Sequence, residues 1–166
     1  MSSDQIKIRE VHDGDLLGLH ELLNDLENQK LVGGSLNKVT WDEVLDWLNN
    51  KRADDKTVIF SITDRDKFVG YLLITSIDKP NGHAIFGINI LRSAQGKGIG
   101  PIAMTLAHEY CKQKLMIRKL VLHVRADNHF AISLYKKMGY KKAGCLTNHI
   151  KDEDAYVDNN IMEVFL

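Results

Sequence analysis

Gln95-Gly96-Lys97-Gly98-Ile99-Gly100 stands at the junction between an apolar, β-branched stretch that ends near Leu91 and a helix-patterned stretch that runs to about Lys114. That position makes the glycines informative. Without side chains, backbone N–H groups can crowd around an anion, and a helix opening immediately afterwards adds its unpaired N–H groups and the positive end of its dipole. Pro101 falls in the first helical turn, where its missing N–H costs no intrahelical bond. The spacing predicts a pyrophosphate-binding turn, to which Lys97 can add a charge. Two other glycine loops fit poorly. A P-loop needs Gly-Lys-Ser/Thr, whereas Gly98 follows Lys97 here; a dinucleotide GxGxxG needs another register, an early βαβ unit and an acid about twenty residues on. A tight strand-to-helix turn with no ligand would carry the same glycines, so the surrounding features have to decide.

On the N-terminal side, VIFSIT, FVGYLLITSI and HAIFGINIL are rich in β-branched and aromatic residues and are separated by the turn-forming DRDK and DKPNG. They read as an antiparallel meander. Before them come a short strand over Ile6 to Val11 and a helix that Asp13 can cap, with Leu16, Leu19, Leu23 and Leu26 at helical spacing. A second helix opens at Thr40, whose spacing to Glu43 is that of a capping box. On the C-terminal side, LVLHVR reads as a strand and His129 to Met138 as a helix, with Phe130, Leu134 and Met138 on one face and Gly139 as its stop. Tyr140 to Ile150 and Tyr156 to Leu166 read as a closing hairpin. The order β-α-α-β-β-β-α-β-α-β-β predicts an α/β domain with a mixed sheet.

The chain has 166 residues, which suits one domain with its own core. Lys plus Arg number 22 and Asp plus Glu number 22, so the net charge of zero argues against a general affinity for nucleic acid or anionic membrane. Cys111 and Cys145 have no CxxC or metal-like spacing, and the 7 histidines include no HxH or HExxH pair. No metal is expected. The opening MSSDQIKIRE is polar, and no apolar run approaches the roughly 18 residues of a membrane span. A cytoplasmic protein with free thiols is expected.

A second block lies further along: Asn128-His129-Phe130-Ala131-Ile132-Ser133-Leu134-Tyr135-Lys136-Lys137-Met138-Gly139-Tyr140. It resembles the Asn-x-x-Ala-x-x-Leu-Tyr-x-x-x-Gly-Phe element of the GNAT N-acetyltransferases, and Gln95, Gly98 and Gly100 match that family's Gln/Arg-x-x-Gly-x-Gly/Ala signature. The tail Tyr156-Val157-Asp158-Asn159-Asn160-Ile161-Met162 is similar to the closing strand of the branch that holds spermidine, ribosomal-protein and amino-acid acetyltransferases. The resemblance runs from about Phe68 to the C-terminus. It implies one GNAT-like α/β domain over the whole chain, with a mixed, mostly antiparallel central sheet of about seven strands flanked by about four helices.

The same resemblance implies acetyl-coenzyme A as donor, with its pyrophosphate on the backbone of Gln95, Gly96, Lys97, Gly98, Ile99 and Gly100 and its pantetheine arm along Ile88 and Ile90. Gly87, inside an apolar strand, suggests a bulge or a close backbone approach, where an N–H could meet the thioester carbonyl. Asn128 is in the family a contact to the cofactor arm, and it is also a favoured N-cap. Tyr135 occupies the place from which the family protonates the leaving thiolate, although helix pattern alone equally allows a core aromatic with a polar tip.

Many members of the branch carry a Glu two residues before the position of Gly87, where this chain has Ile85. His123, His83 and Glu10 are the other groups considered for taking the amine's proton. The expected reaction is direct transfer to a primary amine of a small molecule such as an amino acid, polyamine or amino sugar. Acetylation of a protein N-terminus or lysine, and acetyl-coenzyme A binding without turnover, are the competing readings. Asp13, Asp15, Asp42, Glu43, Asp46, Asp152, Glu153 and Asp154 could draw a cationic acceptor. No nucleic acid or membrane partner is expected, and a homodimer stays open.

Overall fold

The computed structural model describes residues 5–34 and 36–166. Its strands are β1 (Ile6–Glu10), β2 (Val58–Asp64), β3 (Lys67–Asp78), β4 (His83–Ile90), β5 (Lys119–Arg125), β6 (Lys141–Asp152) and β7 (Ala155–Phe165). They form one 7-stranded sheet in the order β1-β2-β3-β4-β5-β7-β6. Every neighbouring pair is antiparallel except β4 with β5. A parallel pair needs a crossover, which α4 (Ile99–Gln113) provides. The remaining helices are α1 (Leu16–Asn24), α2 (Leu26–Val32), α3 (Trp41–Ala53) and α5 (His129–Lys137).

Strand alternation assigns the helices to faces. Tyr71 pairs with Asn89, so their side chains share a face, and the Tyr71 ring meets Trp47 of α3 at 5.3 Å. Phe60 pairs with Leu72 on the opposite face, and its ring meets Tyr110 of α4 at 4.8 Å. α3 and α1, which pack together, therefore cover one face, while α4 covers the other. Gly100 of α4 lies against Leu134, which brings α5 to the α4 side. Leu19 and Leu22 of α1, Leu48 of α3 and Met104 of α4 are at most 1 % exposed. Each such side chain stabilises the fold by about 1.5–3 kcal/mol.

The expected leucine helix is divided in two. Asp25 takes a non-helical ψ of 85° and accepts a hydrogen bond from the Asn28 backbone N–H, ending α1 and capping α2. Leu26 thus begins a new helix, which stops at Gly33 with φ of 73°. Asp13 does not cap α1, because a short 3-10 turn over Asp13–Asp15 precedes it. Instead Asp15 is buried and accepts from Arg9, Ser61 and the His12 N–H, tying the entry of α1 to β1 and β2. The Thr40–Glu43 capping box forms as expected. Phe130 is exposed rather than part of an apolar face of α5. Among the described residues no helix is long and apolar enough to cross a membrane, and no cluster of His, Cys, Asp and Glu could hold a metal ion.

One feature of the sheet positions the candidate site. β4 pairs with β5 only over His83–Ile85 against Lys119–Val121. Past that point β4 runs on to Ile90 beside β3, and β5 runs on to Arg125 beside β7. The two parallel strands part, and their facing edges lose their ladder partners.

Candidate active site

A cavity of about 480 Å³ occupies this parting and reaches both faces of the sheet. Gln95, Asn128, Leu134 and Tyr135 line it on the α5 side, and Asn28, Glu43, Trp47 and Tyr71 on the α3 side. Gly87, Ile88 and Ile90 lie between. Five of the residues singled out from the sequence, Ile88, Ile90, Gln95, Asn128 and Tyr135, are thus brought together. Gly96, Lys97, Gly98, Ile99 and Gly100 continue the chain from Gln95 and are not cavity-lining.

The edge of β4 is organised by its hydrogen bonds. Leu91 N–H donates to Val69 O on β3 at 2.9 Å, while Ile90 O is turned the other way and accepts from Gln95 Nε2 at 2.9 Å. Backbone groups alternate along a strand, so Ile88 presents its N–H and C=O to the parting, as Ile90 does. The bulge expected at Gly87 is absent. Gly87 pairs with Leu73 in unbroken register, and the β3–β4 irregularity falls between Thr75 and Asp78. The N–H that faces the cavity is therefore that of Ile88, with Gly87 bonded inward to β3. Gly87 acts through its missing side chain, since a Cβ there would meet no protein atom within 4 Å. It leaves room beside the parting on the α3 face.

At the turn, Gly96 and Gly98 adopt φ of 73° and 74°, the left-handed region that glycine enters without penalty. Gly98 is the N-cap of α4 and provides no side-chain acceptor, so the first-turn N–H groups stay unpaired at the positive end of the helix. A Cβ at Gly100 would lie 3.2 Å from Leu134 Cδ2, so this glycine serves the close packing of α4 on α5. Exposed amides, an uncapped helix start and an unpaired strand edge leading into a cavity fit a ligand with a pyrophosphate and an extended amide-bearing arm.

Tyr135 is 8 % exposed, and its hydroxyl makes no hydrogen bond to the described residues. Burial pushes its pKa up to about 12, so the phenol carries its proton throughout the neutral range. Its ring is tilted against Tyr140, whose hydroxyl is 3.1 Å from His108 Nε2. Burial lowers the pKa of His108, favouring the neutral imidazole. Asn128 does cap α5, its Oδ1 accepting from Ala131 N–H at 3.1 Å, and it lines the cavity as well.

A polar chain not legible in the sequence joins the two halves. Ile90 O, already bonded to Gln95, lies 3.4 Å from Asn28 Nδ2, which also donates to Asn89 Oδ1 at 2.7 Å. Asn89 Nδ2 is buried without a hydrogen-bond partner. The Tyr71 hydroxyl neighbours this carboxamide; burial raises the pKa of Tyr71, and the Asn89 contact opposes part of that rise. The period-2 spacing of Asn89 with Gly87 was the available signal, but no sequence feature pairs it with Asn28.

Among the groups considered for proton removal, His123 on β5 lines the cavity. His83 stands at the far end of β4, 3.6 Å from Asp78, and neither it nor Glu10 lines the cavity. Of the acids expected to draw a cation, Glu43 alone among the described residues lines the cavity. Asp15 is spent on Arg9 and Ser61, and Asp152 on Lys30 and Arg125.

Comparison with known proteins agrees with this geometry. The model of the Acetyltransferase (GNAT) family matches residues 18–140, a span that includes the parting, the glycine turn and Tyr135. A spermidine N(1)-acetyltransferase of Vibrio cholerae is 26% identical over 159 residues, covering 94% of this chain and 90% of that protein. A putative [ribosomal protein bS18]-alanine N-acetyltransferase of Bacillus subtilis is 39% identical over 75 residues, or 44% of this chain and 49% of its own length. The crystal structure of spermidine N-acetyltransferase from Vibrio cholerae in complex with CoA and spermine superposes with a TM-score of 0.91 at 25% identity, covering 98% of this chain and 96% of that one. With a family match over most of its length and the fold and cavity to accompany it, this chain belongs to the GNAT family of acetyltransferases.

Proposed function

We propose that the protein transfers the acetyl group of acetyl-coenzyme A directly to a primary amine of a small molecule. The observation that supports this reading is the cavity through the sheet, whose lining includes both Tyr135 and Ile88. The cofactor supplies an activated acetyl thioester. Gln95 to Gly100 would receive its pyrophosphate on their backbone N–H groups, and the Ile88 and Ile90 backbone would hold the arm along the free edge of β4. The thioester carbonyl would gain negative charge as the amine attacks, and the Ile88 N–H would donate to it.

Each proton then has a route. An amine that arrives as ammonium loses one proton before attack, to water or to His123, and the second nitrogen proton, released once the C–N bond has formed, replaces through water the one that Tyr135 gives to sulfur. The C–N bond forms and the C–S bond breaks, and the departing sulfur takes a proton or a hydrogen bond from Tyr135, whose raised pKa keeps it a donor. The small-amine assignment draws support from the spermidine acetyltransferase that matches nearly the whole chain. The test is release of free thiol from acetyl-coenzyme A across a panel of polyamines, amino acids and amino sugars, with the acetylated product identified by mass. Amine-dependent release is expected with at least one class. Release that no amine accelerates would refute the proposal.

A further inference from the structure

Acetyl-coenzyme A on the glycine turn and along the free edge of β4 would leave the α3 side of the cavity to the acceptor. The floor there is the sheet, where Leu73 pairs with Gly87 and the missing side chain of Gly87 leaves open space. The walls are apolar: Leu23 of α1, Leu31 and Val32 of α2, Val39 before α3 and Trp47 within it. The Trp47 indole stands edge-on to the Tyr71 ring. Leu31 and Val32 are 41 % and 43 % exposed, so an occupant with an apolar body would take their surface out of water. Besides His123, the charged side chains of the lining are Glu43 and Lys51, one of each sign and both on α3. Glu43 Oε2 already accepts from the Thr40 N–H at 2.7 Å and from its hydroxyl at 3.1 Å.

We propose that the preferred acceptor is a primary monoamine with an apolar alkyl or aryl body, its nitrogen beside Gly87 and its body among Trp47, Leu73 and the two α2 residues. This rests on the acetyl-transfer reading above. A polyamine suits the lining less well. Spermidine that gives up one proton to react still carries ammonium groups along its chain, and the charges of Glu43 and Lys51 cancel. Burying a charge without a partner is costly, so spermidine is a slower acceptor. Each methylene of a monoamine that enters the apolar walls instead favours binding about fourfold.

The experiment measures kcat/KM for propylamine, butylamine, hexylamine, 2-phenylethylamine and spermidine in the wild type, Leu31→Glu and Trp47→Ala. In the wild type the value should climb about threefold to fourfold per methylene from propylamine to hexylamine. Hexylamine and 2-phenylethylamine should exceed spermidine by about tenfold or more. Leu31→Glu adds a carboxylate at an exposed wall position, so its preference should move toward spermidine with KM for acetyl-coenzyme A unchanged. Trp47→Ala should flatten the climb with chain length. Thermal unfolding checks both variants; should Trp47→Ala fail to fold, Leu31→Glu decides alone. A wild type that prefers spermidine, no climb with chain length, or a climb that persists in a folded Trp47→Ala would overturn the assignment. So would a Leu31→Glu variant whose amine preference is unchanged while its sedimentation coefficient shifts, which would give Leu31 to an interface between copies of the chain. Transfer to no amine at all would instead defeat the acetyl-transfer reading, and this inference with it.

Discussion

Tyr135 combines burial with a hydroxyl that bonds to none of the described residues. Removing that hydroxyl in Tyr135→Phe should change stability by no more than about 1 kcal/mol, because no hydrogen bond is lost and the ring still packs on Tyr140. Turnover on an accepted amine should fall by roughly one hundredfold, the usual scale of general-acid help, with acetyl-coenzyme A affinity little changed. Steady-state kinetics beside thermal unfolding read both, and near-normal turnover in a folded variant would return Tyr135 to the core. Residues that act through local backbone chemistry were legible in the sequence. Gly96 and Gly98 had to be glycines for a turn at a helix start, and both take the left-handed conformation such a turn needs. At Gly87 the sequence allows a bulge or a close backbone approach; the register rules out the bulge, and the open space found beside this glycine leaves the same mark on a strand. Asn28 and Asn89 were not legible at all. They lie 61 positions apart, and only the docking of α2 on the sheet brings them together.

At the scale of elements, α5 tests whether one residue serves both structure and binding. Asn128 caps the helix through Ala131 N–H and also lines the cavity. Asn128→Ala should cost about 1 kcal/mol of stability and weaken acetyl-coenzyme A binding. Asn128→Ser restores a capping oxygen but shortens the reach, so stability should return while affinity does not. Calorimetric titration and chemical unfolding of the two variants separate the roles; affinity that recovers with the cap would leave Asn128 purely structural. The meander strands and α4 matched their sequence periodicities because their apolar faces are regular and the strand turns carry Gly, Asp and Asn, whereas α5 turns Phe130 outward. The leucine helix did not, since the run Leu16 to Leu26 keeps helical spacing straight through the Asp25 break. That break has a consequence for the site. Asp25 and Glu27 at the start of α2 pair with Arg92, just before the glycine turn, and so link α2 to the loop that leads into that turn.

For the whole molecule, the decisive arrangement is the parting of β4 and β5, which converts a continuous sheet into one with a passage through it. The antiparallel meander and the closing hairpin followed from the element order, but where two parallel strands separate depends on what each pairs with on its other edge, and no local sequence feature records that. The proposed acetyl transfer begins with one event, the seating of acetyl-coenzyme A in this parting and on the glycine turn. A ligand that binds only the folded chain stabilises it by about 2.7 kcal/mol at a hundred times its Kd. For a chain of 166 residues that corresponds to roughly 5–10 °C in Tm. Thermal unfolding with acetyl-coenzyme A, NAD and ATP, each at saturating concentration, reads this directly. A clear rise with acetyl-coenzyme A and little with the other two is the predicted result; no rise with acetyl-coenzyme A beside a clear one with NAD or ATP would contradict it.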